Sequence, residues 1–247
     1  MVEFCMSKNI IIFIFFSLIS INCLANQPFK VVLGLSKPPY VIEENHSGFE
    51  LELIQQILTM IGKAPEFIFI PYGRSEKMLA LPDIDAVMTA NKHIFPNIET
   101  LSKNYIDYQN VAISLKENAV SLNRIADISH YSIASFQIAH KILGVEFAEA
   151  VTDSPIFIQV VDQEKQLELL FLGRVEVVVM DLKIFLYYLN KLKLNERESD
   201  IKVHHIFPIN SYSMAFKNAD DVHAFNQAMK KYKTTALYQK LIEKYNF

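Results

Sequence analysis

From Phe29 onward, short apolar, strand-like runs alternate with segments of helical periodicity. This alternation restricts the chain to an α/β architecture of βαβ units around a largely parallel sheet. Phe29 to Leu35 is a β-rich run that stops at Pro38-Pro39. Leu51, Ile54, Ile57, Leu58 and Ile61 then recur at helical spacing between Gly48 and Gly62. Glu66 to Ile70 reads as a strand, Ser75 to Leu81 as a short helix and Ile84 to Thr89 as a third strand, which completes one doubly wound lobe. After Lys116 the pattern starts again. Strands are expected at Tyr131 to Ser135, Phe157 to Val161 and Val175 to Met180, with helices at Ile138 to Phe147, Gln163 to Leu172 and Leu182 to Leu192. Strands at Val203 to Phe207 and Ser211 to Phe216 follow, and helices at Ala219 to Tyr232 and Thr235 to Tyr245 end the chain. The stretches Leu81–Thr89 and Leu172–Met180 share their apolar and acidic positions, as a repeat of one lobe in the other would, although any two βα connections look alike.

The start of the chain does not fit this scheme. Lys8 precedes an unbroken apolar run from Ile10 to Ile19, with small residues near Ala25, so residues 1–25 read as a cleaved secretory signal peptide. Met6 is an alternative start. The run breaks at Ser20 and Asn22, short of the roughly 20 apolar residues of a membrane span. Both cysteines, Cys5 and Cys23, fall in this leader, so a mature chain has no disulfide, thiolate metal site or cysteine nucleophile. Lipidation at Cys23 is the alternative, but the preceding Ser20-Ile21-Asn22 lacks the usual leucine and small residue. The expected location is the periplasm. A formal net charge of −3 over 247 residues offers no basic surface for nucleic acid.

Catalytic signatures are mostly absent. The six glycines build no phosphate-cradling loop and no G-x-S-x-G elbow, and there is no H-E-x-x-H. His204 and His205 are neighbours on an expected strand and point to opposite faces, so they do not chelate one ion. No metal, cofactor or catalytic residue is assigned, and the chain reads as a binder rather than an enzyme. The polar and aromatic residues of interest stand at the carboxyl ends of expected strands, where open α/β sheets bind ligands. They are Tyr40, Tyr72, Arg74 and Thr89 to Asn91 in the first lobe, and Ser135, Phe136, Gln137 and Asp181 in the second.

Together, Pro38-Pro39-Tyr40, Gly48-Phe49-Glu50-Leu51-Glu52-Leu53, Ile84-Asp85-Ala86-Val87, Leu101-Ser102-Lys103-Asn104-Tyr105 and Gly173 to Val178 running into Asp181 resemble the type II periplasmic solute-binding proteins of family 3, over nearly all of residues 27–247. That resemblance implies a first lobe made of residues 26–112 and 213–247, a second of 113–212, and a hinge of two crossing strands near Asn110 to Lys116 and Ile209 to Phe216. It implies capture of a small polar or amino-acid-like solute by a monomer, for uptake through an ABC permease of the inner membrane. By the same resemblance, Tyr40 packs on the ligand, Thr89 contacts a ligand carboxylate, Ser135 to Gln137 offer helix N-terminal N–H groups to an anion, and Asp181 pairs with an ammonium. Amino-acid binders of the family usually carry an arginine shortly after the threonine. Here the run is Thr89-Ala90-Asn91-Lys92-His93, Lys92 has no bidentate fork, and Arg74 is the substitute. Pro82 stands where the family often has glycine.

Other readings of these residues stand beside the resemblance. Tyr40 packs the lobe edge, Arg74 forms a surface salt bridge, Asp181 caps the helix beginning at Leu182, and Glu50 and Glu52 form a solvated helix face. A periplasmic dehydratase on the same scaffold and a sensor without transport role are the rival functions.

Overall fold

The computed structural model describes residues 27–247; the leader, Cys5, Cys23 and Met6 lie outside the described residues. The first sheet begins with β1 (Phe29–Gly34), followed by helix α1 (Phe49–Met60), β2 (Pro65–Ile70), the short α2 (Ser75–Met78), β3 (Ala86–Ala90) and β4 (Ile106–Tyr108). The chain then enters the second sheet with β5 (Asn110–Leu115) and β6 (Ile133–Phe136), the short helix α3 (Ala139–Ile142), α4 (Val145–Thr152), β7 (Phe157–Val160), α5 (Glu164–Phe171), β8 (Val177–Asp181), α6 (Leu182–Lys191) and β9 (Ile201–His204). It returns to the first sheet as β10 (Asn210–Phe216) and ends in α7 (Ala219–Tyr232) and α8 (Ala236–Tyr245).

The strand orders are β2-β1-β3-β10-β4 and β7-β6-β8-β5-β9. In each sheet three parallel strands come first, then two strands run antiparallel to their neighbours. Each lobe is thus an α/β unit with a mixed sheet, and the second repeats the first. The central strands β3 and β8 are buried along their whole length, as expected of the inner strands of a parallel array. The edge strand β2, which starts at Pro65, is only half-buried.

Two boundaries differ from expectation. All of β5 lies in the second sheet, so the chain crosses at Gln109, ahead of the boundary at 112, and β10 joins the first sheet at Asn210, ahead of 213. The crossings are made by the short links ahead of β5 and β10, and the Asn110 side-chain amide donates to Asn210 Oδ1 at 2.9 Å, joining the first residues of these two strands. The helix expected from Ile138 to Phe147 is two helices, because Ile138 (φ 54°) and Gly144 (φ 97°) take positive backbone angles on either side of α3.

Gly48 is required where it stands. At φ 118° it starts α1, and a Cβ there would lie 2.4 Å from the Tyr40 carbonyl oxygen. That close approach lets the Tyr40 carbonyl accept from the Glu50 N–H at 2.9 Å, so the Pro38-Pro39-Tyr40 loop closes the helix N-terminus.

Candidate functional site

The carboxyl ends of β1, β3, β6 and β8 face one another across a cleft that holds a cavity of about 60 Å³. That space holds a few waters. Its wall includes Lys37, Tyr72, Thr89 and Tyr212 from the first lobe and Asn110, Phe136, Gln137, Gln163 and Asp181 from the second. Contacts cross between the lobes around it. Tyr40 Oη donates to Asp181 Oδ2 at 3.1 Å, and the Gly73 N–H donates to Gln137 Oε1 at 3.3 Å. Lys183 Nζ donates to the Asn246 carbonyl at 2.9 Å and lies 4.5 Å from the Phe247 ring centre, while Lys141 and Glu76 approach to 3.8 Å.

The centre of the first lobe's wall is a buried ion pair absent from the sequence expectations. Lys37 Nζ lies 2.9 Å from Glu50 Oε2 and donates to Thr89 Oγ1 at 2.5 Å. Glu50 is fully buried, not part of a solvated helix face. The signal for this was in the sequence: Glu50 lies three, four, seven and eight positions before Leu53, Ile54, Ile57 and Leu58, which places it on the apolar stripe of α1. Glu52 lies off that stripe and binds Lys244 and Tyr245 on the lobe surface. Lys37 has no such periodic signal, since it sits in an irregular turn.

Burial pushes the Glu50 carboxyl up, but the Lys37 ammonium and the Tyr105 and Tyr108 hydroxyls together outweigh it, and the net shift is down. Burial also pushes the Lys37 ammonium down, opposed by Glu50. An ionised pair is the consistent state. Thr89 Oγ1 donates to Glu50 Oε1 at 2.7 Å, Tyr105 Oη donates to the same oxygen, and Tyr108 Oη donates to Oε2 at 2.6 Å. Both oxygens of the carboxylate are thus doubly engaged.

Asp181 is arranged in the same way. Oδ1 accepts from the Lys183 and Ile184 N–H groups at 2.9 and 3.1 Å, which caps α6, and Oδ2 accepts from Tyr40 Oη and from the Gln109 N–H at 2.9 Å. Burial outweighs these bonds and pushes its carboxyl up to about 6. The capping role and the place in the cleft wall coexist.

The remaining expected residues divide between the cleft and elsewhere. Tyr72 lines the cavity and its hydroxyl donates to the Thr89 carbonyl. Thr89 lines it too, at φ 56°, an unusual conformation for a β-branched residue. Its N–H is already donated to Tyr105 Oη at 2.9 Å. Phe136 and Gln137 line the opposite wall. Tyr40 does not line the cavity. It is 1% exposed, its ring stacked 3.9 Å from Tyr108 and edge-on to Phe247, so its contact with the second lobe is the hydroxyl bond to Asp181. Ser135 is buried, with its hydroxyl on the Phe136 carbonyl, and the Ile138 N–H ahead of the single-turn α3 is given to Gln159 Oε1. Arg74 is exposed and outside the cavity wall. Asn91 instead caps its own turn, accepting from the His93 and Ile94 N–H groups, and faces a separate groove with Lys92 and His93. Neither cation therefore replaces the missing arginine within the cavity.

No family model matches the sequence, and no curated protein does. Solved structures do match. An ancestral arginine-binding protein bound to arginine is 20% identical with a TM-score of 0.72, covering 88% of this chain and 97% of that one. An ABC uptake transporter substrate-binding protein from Streptococcus pneumoniae with bound histidine is 15% identical with a TM-score of 0.73, covering 90% of this chain and 93% of that one. A histidine kinase sensor domain with similarity to periplasmic binding proteins is 14% identical with a TM-score of 0.72, covering 89% and 96%. Across these matches and its own two repeated sheets, the chain has the type II periplasmic binding protein fold.

Proposed function

We propose that this chain captures a small polar solute between its lobes, by an equilibrium between open and closed forms in which the bound solute favours the closed one. Bonds that run from one lobe to the other around a cavity lined by polar side chains carry this reading, foremost Tyr40 to Asp181 and Gly73 to Gln137. A ligand shifts such an equilibrium only through contacts present in the closed state, and the cavity wall supplies them. The solved structures of similar fold that hold arginine or histidine support a small polar solute. Delivery to an ABC permease, after export to the periplasm as a monomer, is the simplest use of the captured solute. The sensor-domain match favours a second reading, in which the closed form is recognised by a signalling partner instead.

Binding without chemistry is the reading for the cleft. A dehydratase needs a general acid or base facing its substrate, and the oxygens of Glu50 and Asp181 are already engaged by protein donors. Isothermal titration of residues 26–247 against a broad panel of amino acids, small carboxylates, amines and uncharged solutes tests capture. Saturable heat with unchanged solute recovered afterwards is expected; turnover would favour the enzyme, and silence across the panel would remove the capture reading.

A further inference from the structure

We infer that the captured solute is an uncharged hydrogen-bonding molecule, rich in oxygen acceptors like a small polyol or amide, and not an amino-acid zwitterion. This rests on the capture reading and follows from counting which polar groups of the cleft still have capacity.

A zwitterion brings an ammonium that needs a free carboxylate or an equivalent set of acceptors once water is excluded. None is free. Glu50 takes Lys37, Thr89, Tyr105 and Tyr108, and Asp181 takes Tyr40 and three backbone N–H groups. For its carboxylate, a zwitterion needs a fork or several donors beside an unpaired cation. Lys37 is the cation in the wall, and its charge is already matched by Glu50. With Asp181 ionised as well, Lys37, Glu50 and Asp181 sum to −1, so a bare anion meets repulsion in the desolvated cleft.

What remains is uncharged capacity with one exception. An ammonium has three N–H donors. Lys37 gives two to Glu50 and Thr89, and the third has no oxygen partner beside the Tyr108 ring. Gln137 engages its Oε1 with Gly73 and has its amide N–H groups to give. Among the described residues no hydrogen bond engages the hydroxyl of Tyr212, which lines the wall, and Gln163, also a wall residue, has a buried Oε1 without a partner. The ligand that satisfies these groups accepts from Lys37, Gln137 and Tyr212, and donates to Gln163, without bringing a charge into the cleft.

The test titrates residues 26–247 by calorimetry with glycerol, erythritol, acetamide and urea as uncharged probes, glycine, glutamine and histidine as zwitterions, and acetate and methylammonium as single charges. The inference expects saturable binding among the uncharged probes, with the zwitterions and single charges at least about tenfold weaker, since one unpaired buried charge costs more than the ~1.4 kcal/mol of a tenfold change. Zwitterion or single-charge binding as tight as the best uncharged probe overturns it and leaves capture standing. No binding by any probe overturns both. Gln163→Glu supplies a carboxylate with spare acceptors, so methylammonium affinity should rise about tenfold while uncharged probes lose affinity. A methylammonium affinity unchanged by this substitution in a folded variant also counts against the inference. Tyr212→Phe, which keeps the ring, provides an independent check. It should weaken the best uncharged probe by about three- to tenfold, the loss of one uncharged hydrogen bond, and no loss would contradict the assignment.

Discussion

Replacing Lys37 by methionine isolates the interaction around which the first lobe's wall is built. Glu50 is fully buried and the Lys37 side chain only 9% exposed, with 2.9 Å between their charged atoms. Truncating one partner of a buried pair leaves an uncompensated charge, at a cost of about 3–5 kcal/mol. Three hydroxyls, from Thr89, Tyr105 and Tyr108, continue to hold the carboxylate, which places Lys37→Met at the low end, about 3 kcal/mol. For a chain of this length that lowers Tm by roughly 6–12 °C. Glu50→Gln alone strands the lysine and should cost a similar amount. The double variant Lys37→Met/Glu50→Gln removes both charges and should recover at least about half of the summed loss, a coupling that a double-mutant cycle in urea measures directly. The pH dependence carries a sign. In the wild type the Glu50 carboxyl is held below its ordinary value, so its stabilisation is present above the unfolded carboxyl pKa and fades as pH falls through the folded one. Without Lys37, burial dominates and the carboxyl moves up, so the variant's deficit should shrink as pH is lowered from 7 toward 4. A deficit below about 1 kcal/mol at neutral pH, or simple additivity in the cycle, would refute the buried pair.

Other perturbations give separate tests. The Asp181 carboxyl is pushed by burial from 3.8 to about 6, so folding takes up a proton between those values. Stability from this group is highest below about pH 4 and declines as pH rises toward 6; Asp181→Asn should flatten that slope, worth about 3 kcal/mol, in urea unfolding across the range. Phe247 stacks 4.0 Å from Phe49, meets Tyr40 edge-on and lies under Lys183, so Phe247→Ala should cost about 2 kcal/mol in thermal unfolding and shift the lobes toward the open form. Gly48→Ala places a Cβ against the Tyr40 carbonyl at φ 118°, and should cost more than about 2 kcal/mol in the same assay.

Much of this architecture can be read from periodicity. The continuous apolar run before Asp181 marks a strand buried on both faces, and the aspartate that ends it is both the cap of α6 and part of the cleft wall. Strand ends also place Tyr72, Thr89, Phe136 and Gln137 in the cavity wall, because a parallel sheet directs its carboxyl edges to one side. Periodicity says less about loops. Lys37 enters the wall through the turn between β1 and the Tyr40 carbonyl, and Gln163 through the residue that precedes α5, positions set by tertiary contacts. Arg74 and Asn91 stand near strand ends and still turn away, since the short helical turn at 72–74 and the Asn91-capped turn fix their directions locally. Glu50 falls on the apolar stripe of α1 by spacing but reads from sequence as part of a solvated face, because spacing alone does not supply the cation that a buried carboxylate needs.

Capture by closure requires a solute to hold together two lobes that otherwise part. Small-angle X-ray scattering of the same preparation, without solute and at saturation with the tightest probe found by calorimetry, addresses it directly. The expected result is a larger radius of gyration without solute and, at saturation, a profile matching the closed arrangement in which Tyr40 meets Asp181. Identical profiles in the two conditions would contradict capture by closure.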